Sequence, residues 1–395
     1  MKLREITAER VKSVERSPFY VIADYARKMG SKETIYLNLG EPDFNTPEHI
    51  REAAKKAIDE GYSHYTGDRG FADLRQAIAE HLKRTRKIEV DPEDGVIITS
   101  GGAEANWCVI MGTINPGDEV LVPSPVYPGH AIQIRLAGGV PVAVPLNEKE
   151  GFIWSKEDIE EKITKKTKAM LICSPNNPTG GVFTDKCLRD LADIIVEHDL
   201  VAISDEVYDA LVYGDTKFAS ISSTPEALDR TIITNSFSKT YAMTGWRVGY
   251  LAGSPGIVKE LLKVHYASSI NASSVAQRAA LVALTGPQDC VEEMRKAYSK
   301  RRERLIEGLL NIEGVKCTPP NGAFYAFPNI SRFGMDSWEF TKYLIREAGV
   351  VTSPGGGFGS EWDSHIRISY ANSIENIEKA VERISSALSK LQKNR

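Results

Sequence analysis

Lys239 stands in the run SFSKTYAMTGWRVGY (236–250), in surroundings that suit an amine able to form a Schiff base with a carbonyl compound once deprotonated. Ser236 and Ser238 flank it and Arg247 follows eight residues on, so two hydroxyls and a guanidinium are available to gather a phosphate beside the amine. A second run, ISDEVYDALVY (203–213), puts Asp205 at the end of the apolar stretch LVAIS, where open α/β sheets place ligand-binding groups. A carboxylate there can keep a pyridinium nitrogen protonated, and Tyr208 can donate to a ring oxygen. A third run, SPNNPTGG (174–181), makes a rigid turn after the apolar stretch KAMLICS and offers the Asn177 amide. The fourth, TSGGAEAN (99–106), is a Gly-rich junction between a strand and a helix, whose free N–H groups and dipole favour a phosphate.

Taken singly, each run has an ordinary structural alternative. Lys239 and Arg247 also fit a surface pair beside a turn. Asp205 also fits the N-cap of a following helix, with Tyr208 as half-buried packing. Together the runs supply an imine-forming amine, a pyridinium partner, a phenolate donor and two phosphate-binding elements, all at strand ends. That is the equipment for pyridoxal 5'-phosphate (PLP). Neither the Walker pattern GxxxxGK(S/T) nor GxGxxG is present, which argues against nucleoside triphosphates and NAD.

The elements that must position these groups alternate. Short apolar runs at 96–99, 119–123, 140–145, 168–174, 200–204, 231–234 and 247–253 are mostly continuous, which suits strands buried on both faces of a mostly parallel sheet. Helical patterns lie between them, at 71–87, 103–114 and 185–198, and Thr46-Pro47 reads as an N-cap and first helical position with Gly61 past the end. After about residue 285 a long charged helix (288–311), the strand-like AFYAF (323–327), a helix (336–348), HIRISYA (365–371) and a last helix (373–391) read as α+β. The expected fold class is α/β: a large PLP-binding domain (46–284) with a mostly parallel sheet flanked by helices, and a smaller α+β domain from both termini (1–45 and 285–395).

At 395 residues the chain has length for two domains, and its formal charge of −4 gives no basic field for nucleic acid or an anionic membrane. No apolar run reaches the roughly 18–20 residues that span a bilayer. The N-terminus scatters both signs of charge where a signal peptide would carry an apolar core, so a cytoplasmic protein is expected. Five scattered cysteines without a CxxC pair, and few histidines, imply neither disulfides nor a metal site.

The sequence resembles the class I/II aminotransferases of PLP fold type I, the aspartate/tyrosine aminotransferase superfamily, end to end. Its motifs stand in family order: NLGEPDF (38–44), HYTG (64–67), TSGGAEA (99–105), PSPVY (123–127), NNPTG (176–180), SDEVY (204–208), SFSK (236–239), GWRVGY (245–250) and RIS (367–369). The resemblance implies that Lys239 holds the cofactor as a Schiff base and moves the proton, and that Asp205 pairs with the ring nitrogen. It implies that Asn177 and Tyr208 bond the ring oxygen and that Tyr127 stacks on the ring. It also implies that Gly102, Ala103, Ser236, Ser238 and Arg247 hold the phosphate. Arg367 matches the arginine for the substrate α-carboxylate, helped by backbone near Gly40; a planar guanidinium binds a carboxylate through two bonds where a lysine cannot. Tyr65 matches a tyrosine that reaches the phosphate of the other subunit, which implies a homodimer with shared active sites. Cis bonds are implied at Ser124-Pro125 and Asn177-Pro178. The implied reaction is a ping-pong amino transfer between an amino acid and a 2-oxo acid; a C–S β-lyase or related elimination enzyme is the alternative. Relatives that use aspartate often carry lysine where this chain has Ala103. Phe19, Tyr20 and Tyr325 fall in segments that suit a side-chain pocket, and aromatic, aliphatic and aspartate-like donors all stay open.

Overall fold

The computed structural model describes residues 6–393, so the first residues of the charge-scattered N-terminus lie outside the described residues. Its strands are β1 (Ile35–Tyr36), β2 (Val96–Thr99), β3 (Glu119–Ser124), β4 (Val140–Pro145), β5 (Thr167–Cys173), β6 (Val201–Asp205), β7 (Thr231–Ser236), β8 (Gly249–Ala252), β9 (Tyr325–Ala326), β10 (Val350–Val351), β11 (Ser353–Pro354) and β12 (Ile366–Ser369). Seven of them form one sheet in the order β2-β8-β7-β6-β5-β3-β4. Strand β8 is antiparallel to both neighbours and every other pair is parallel. Because β8 opposes β2 and β7 alike, those two run the same way. The C-terminal ends of β2, β5, β6 and β7 therefore open on one edge.

The continuous apolar runs have their cause in this arrangement. Ile97, Ile98, Leu121, Met170, Ile203 and Leu251 are fully buried between layers of helices. Strand β4 departs from the expectation of burial on both faces: it ends the sheet, leaves Val140 46% exposed, and carries Pro141 and Pro145, which an outer strand tolerates because one side of it needs no ladder bonds. The run 247–253 yields a strand only over Gly249–Ala252, since Arg247 sits at a left-handed φ of 52°. The helix expected from Thr46 begins at Glu48, with Pro47 in the cap position. Thr46 is drawn away: its hydroxyl donates to the Ala242 carbonyl at 2.6 Å and accepts from Trp246 Nε1 at 2.9 Å.

A second core packs Tyr298, Phe324, Tyr325, Leu344 and Ile368 around Ile35 and Leu37 from the N-terminal part of the chain. Here β12 lies between β11 and β9, antiparallel to both, and β1 pairs with β10 in parallel. The helix Pro18–Met29 lays Ile22 and Ala26 against Ile345 and Val351. Segments from the N-terminal part of the chain thus pack with the C-terminal elements in one core. Of AFYAF, only Tyr325–Ala326 is strand, because Ala323 takes a left-handed φ of 57°. Ser124-Pro125 and Asn177-Pro178 are both cis, as is Ser174-Pro175. Among the described residues no helix is long and apolar enough to cross a membrane.

Candidate active site

Every residue singled out from the sequence except Tyr65 lines one cavity of about 550 Å³, at the edge where β2, β5, β6 and β7 end. That volume suits a cofactor with a small substrate. Lys239 follows β7 on the short helix Phe237–Thr240, whose first N–H groups are capped by Ser236; Ser236 Oγ accepts from the Ser238 N–H at 3.1 Å. The Lys239 Nζ donates to the Gly40 carbonyl at 2.5 Å. Burial brings this amine down to about 8; Arg367 and Arg247 push the same way, while Glu41 and Asp205 oppose them. Much of the lysine is therefore unprotonated near pH 8, the state a nucleophile needs.

Asp205 is the last residue of β6 and is 5% exposed. No lysine or arginine among the described residues pairs with it. Its Oδ2 accepts from Asn106 Nδ2 and His130 Nε2, both at 2.8 Å, and its Oδ1 from the Val207 N–H at 3.3 Å. A carboxylate only accepts, so Nε2 of His130 carries the proton and the buried Nδ1 is left without a partner. Asp205 heads no helix, which removes the N-cap alternative for it. Asn106 and His130 were not among the residues expected from sequence. Asn106 lies inside the quoted run TSGGAEAN, and its place one helical turn past the glycines was the available signal.

At one end of the cavity the helix Gly102–Thr113 starts directly after the junction from β2. Gly101 has φ 88°, and a Cβ there would meet Arg247 Nη2 at 2.7 Å, so the junction needs glycine to let the guanidinium approach. Arg247 makes only carbonyl contacts, to Thr244 at 3.0 Å and Ser100 at 3.5 Å. The junction is pinned from behind by Glu104. Burial raises this carboxyl, but bonds from His265, Ser269, the Ser100 N–H and Ser268 bring it down to about 2. Cys108 and His265 sit close enough to Glu104 to suggest ligands, yet burial pushes the Cys108 thiol up to about 12 and disfavours the thiolate a metal would need.

At the other end Arg367, on β12, is 2% exposed. Its guanidinium donates to Asn177 Oδ1 at 3.0 Å, the Asn38 carbonyl at 2.6 Å and Ser353 Oγ at 3.3 Å, and no carboxylate pairs with it among the described residues. It lies 4.7 Å from the ring centre of Phe19 and 4.5 Å from that of Tyr325. Tyr127 stands across the cavity, stacked on Phe19 at 6.3 Å and 12°. Phe19, Tyr20 and Tyr325 line the same cavity, as their segments suggested. Tyr65 is not brought there; it is 80% exposed, in a surface hollow with Ile58, Tyr62 and His64.

The site therefore holds charges without opposite partners among the described residues, two of them, on Asp205 and Arg367, buried. Among the described residues Asp205 pairs with no lysine or arginine, and Arg367 and Arg247 pair with no carboxylate, around an amine that burial brings down to about 8. Isolated charges of that kind cost several kcal/mol unless something neutralises them. PLP fits on this test: Asp205 would hold a cationic ring nitrogen and Arg247 a phosphate. Arg367 would remain for a substrate carboxylate. Fold and site together suit an enzyme that would work on amines through a lysine at the sheet edge.

The chain matches the family model for aminotransferase class I and II over residues 32–384, and it belongs to that family. It is 40% identical over 390 residues to an aspartate aminotransferase of Pyrococcus horikoshii, covering 98% of each chain. It is 42% identical over 386 residues to aromatic-amino-acid aminotransferase 2 of Thermococcus litoralis, covering 96% of this chain and 98% of that one. Among solved structures, the aspartate aminotransferase of Thermus thermophilus with maleate superposes with TM-score 0.91 at 37% identity, covering 96% of this chain and 99% of that one. The protein is an aminotransferase with the α/β fold of that family, and the elimination alternative is not favoured.

Proposed function

We propose that this chain binds PLP on Lys239 and transfers amino groups between an amino acid and a 2-oxo acid in two half-reactions. The observation that carries the reading is the pair of buried charges on Asp205 and Arg367, together with the exposed Arg247, around one cavity, without opposite partners among the described residues and each suited to a group that cofactor or substrate would bring. PLP, when bound, supplies a carbonyl that condenses with amines and a ring that takes up the electron pair released at the substrate α-carbon.

The residues act as follows. Lys239 Nζ holds the cofactor. Freed by the incoming amine, Nζ would take the proton from the substrate α-carbon and return it to the cofactor carbon on the far side of the nitrogen, a service worth about 10²–10⁴-fold. Asp205 keeps the ring nitrogen protonated, and Asn106 and His130 hold its carboxylate in place. Arg367 occupies the Oδ1 of Asn177, so the Asn177 Nδ2 is free to donate to the ring oxygen beside Tyr208. Tyr127 covers one face of the ring. The N–H groups of Gly102 and Ala103, the hydroxyls of Ser236 and Ser238, and Arg247 hold the phosphate. Arg367 takes the substrate α-carboxylate through two bonds, and the Gly40 backbone completes that end.

Tyr65 has no work within one chain, and its exposure fits a side chain that reaches the phosphate of a second copy. A homodimer with shared sites is therefore part of the proposal. So is the division of the chain at about residues 45 and 285. Mixing the PLP-loaded protein with single amino acids and following the absorbance tests the reading and ranks donors. Lys239→Ala is expected to lose the imine band and nearly all turnover. Wild-type kinetics in that variant would sink the proposal.

A further inference from the structure

Two buried phenols meet beside the ring position. Tyr208 OH and Tyr325 OH lie 2.8 Å apart, and among the described residues neither hydroxyl has another hydrogen-bond partner. Tyr208 follows β6, on the segment that carries Asp205. Tyr325 sits on β9, opposite Ser369 of β12, the strand that carries Arg367. The pair thus bridges the cofactor end and the carboxylate end of the cavity. The Arg367 guanidinium rests 4.5 Å from the centre of the Tyr325 ring, and the Tyr325 hydroxyl lies 2.6 Å from where a Cβ on Gly40 would stand.

Only one proton can lie between two hydroxyl oxygens. Tyr208 can offer its own proton to a ring oxygen only when Tyr325 is the donor within the pair. We propose that Tyr325 is a positioning residue: it donates to Tyr208, sets how strongly Tyr208 donates to the ring oxygen, and makes that donation respond to a carboxylate on Arg367. The inference rests on the PLP reading given above.

The surroundings favour this direction of donation. Burial pushes both phenols up and Arg367 opposes it at each, but the guanidinium rests directly against the Tyr325 ring, at 4.5 Å from its centre. The more acidic phenol of such a pair is the donor. The other titratable groups facing the two are Tyr127 and Cys173, with Lys239, Glu41, Asp205 and Arg247 around the amine beyond. A chained hydrogen bond strengthens the next one. With Tyr325 donating, Tyr208 withdraws more density from the ring oxygen and the imine nitrogen on Lys239 becomes less basic. A substrate carboxylate neutralises Arg367, Tyr325 donates less, and the imine becomes more basic. The protonated imine is the better electrophile, so the amine attacks a site that its own carboxylate has prepared.

The test is a spectrophotometric pH titration of the PLP-loaded enzyme, with and without saturating 3-phenylpropanoate, a carboxylate that lacks an amine. Tyr325→Phe keeps the ring and its stack on Arg367. It is expected to raise the pKa of the imine band by roughly half a unit, about a threefold gain in proton affinity. The rise that 3-phenylpropanoate causes in the wild type is expected to shrink in Tyr325→Phe but not vanish, because Arg367 also reaches Asn177 at 3.0 Å. An unchanged pKa with an unchanged carboxylate response overturns the proposal. So does a variant that alters only donor KM, which would make Tyr325 pocket wall. Tyr208→Phe is the control: a shift there with none in Tyr325→Phe refutes this inference alone, while no shift in either removes the role of Tyr208 and this inference with it.

Discussion

Asp205 and Glu206 are neighbours in sequence, both buried, and they face opposite electrostatic worlds. Glu206 and Asp209 share Arg86. The Arg86 Nε lies 3.0 Å from Glu206, its Nη2 bonds Asp209, and Phe218 covers the guanidinium at 4.6 Å. Ser204 and Ser220 satisfy the remaining oxygen of Glu206. One residue earlier, Asp205 turns into the cavity, where among the described residues its side-chain donors are Asn106 and His130 and no lysine or arginine reaches it. The alternation of side chains along an extended segment sends the two carboxylates to different sides. Behind the sheet edge, two carboxylates share one guanidinium and their oxygens are bonded; in front of it, charge is left open. Stability alone explains the first cluster. The second makes sense only if molecules from outside supply the missing charges.

The strongest way to break this contrast is to remove one open charge and one closed charge. Arg367→Leu is expected to lower kcat/KM for amino donors by about 10³-fold, on the order of 4 kcal/mol, as for truncation of one partner of a buried charged contact. Unfolding of the ligand-free protein should hold steady or shift upward, because no countercharge is stranded by the change. A large loss of stability would show that Arg367 is structural and that its open state has another cause. Arg86→Met should do the reverse. It leaves Glu206 and Asp209 without their cation and is expected to cost about 3–5 kcal/mol in denaturant unfolding. The folded fraction should keep kcat/KM within about tenfold. Equal damage to both quantities in both variants would erase the distinction between the clusters.

How much of this could be read from the sequence follows the same division. Groups that must meet a rigid cofactor sit at fixed offsets from strand ends, so Lys239, Asp205, Asn177 and Gly102 stand in short runs whose local pattern gives them away. Arg367 was recognisable only through the family resemblance, since one arginine beside a strand says nothing about what it faces. Asn106 and His130 escaped because their partner, Asp205, is distant in sequence; a lone amide and a lone imidazole on helices carry no signature of the carboxylate they hold. Tyr325 was read as a pocket residue, and its hydroxyl contact with Tyr208 depends on how β9 meets the end of β6. Thr46 had the sequence of a cap and was taken by Ala242 and Trp246 instead, a tertiary override of local preference. The edge position of β4 was equally hidden, although its two prolines pointed that way.

The smallest expected effect comes from adding a charge to the open side rather than removing one. Ala103 is exposed in the cavity wall, in the first turn of the helix Gly102–Thr113. A lysine there extends a cation toward the side-chain end of the substrate. Solvent screens an exposed charge, so the gain stays near the upper end of what surface ion pairs contribute, about 1 kcal/mol. Ala103→Lys is therefore expected to raise the kcat/KM ratio of aspartate to phenylalanine roughly fivefold. The ratio is the quantity to measure, because the same cation near the helix N-terminus opposes the dipole and also attracts the cofactor phosphate, and both effects act equally on the two donors. If the ratio stays put while cofactor affinity rises, the new charge has joined the phosphate end. The side-chain wall would then lie farther along, toward the rings of Phe19 and Tyr20.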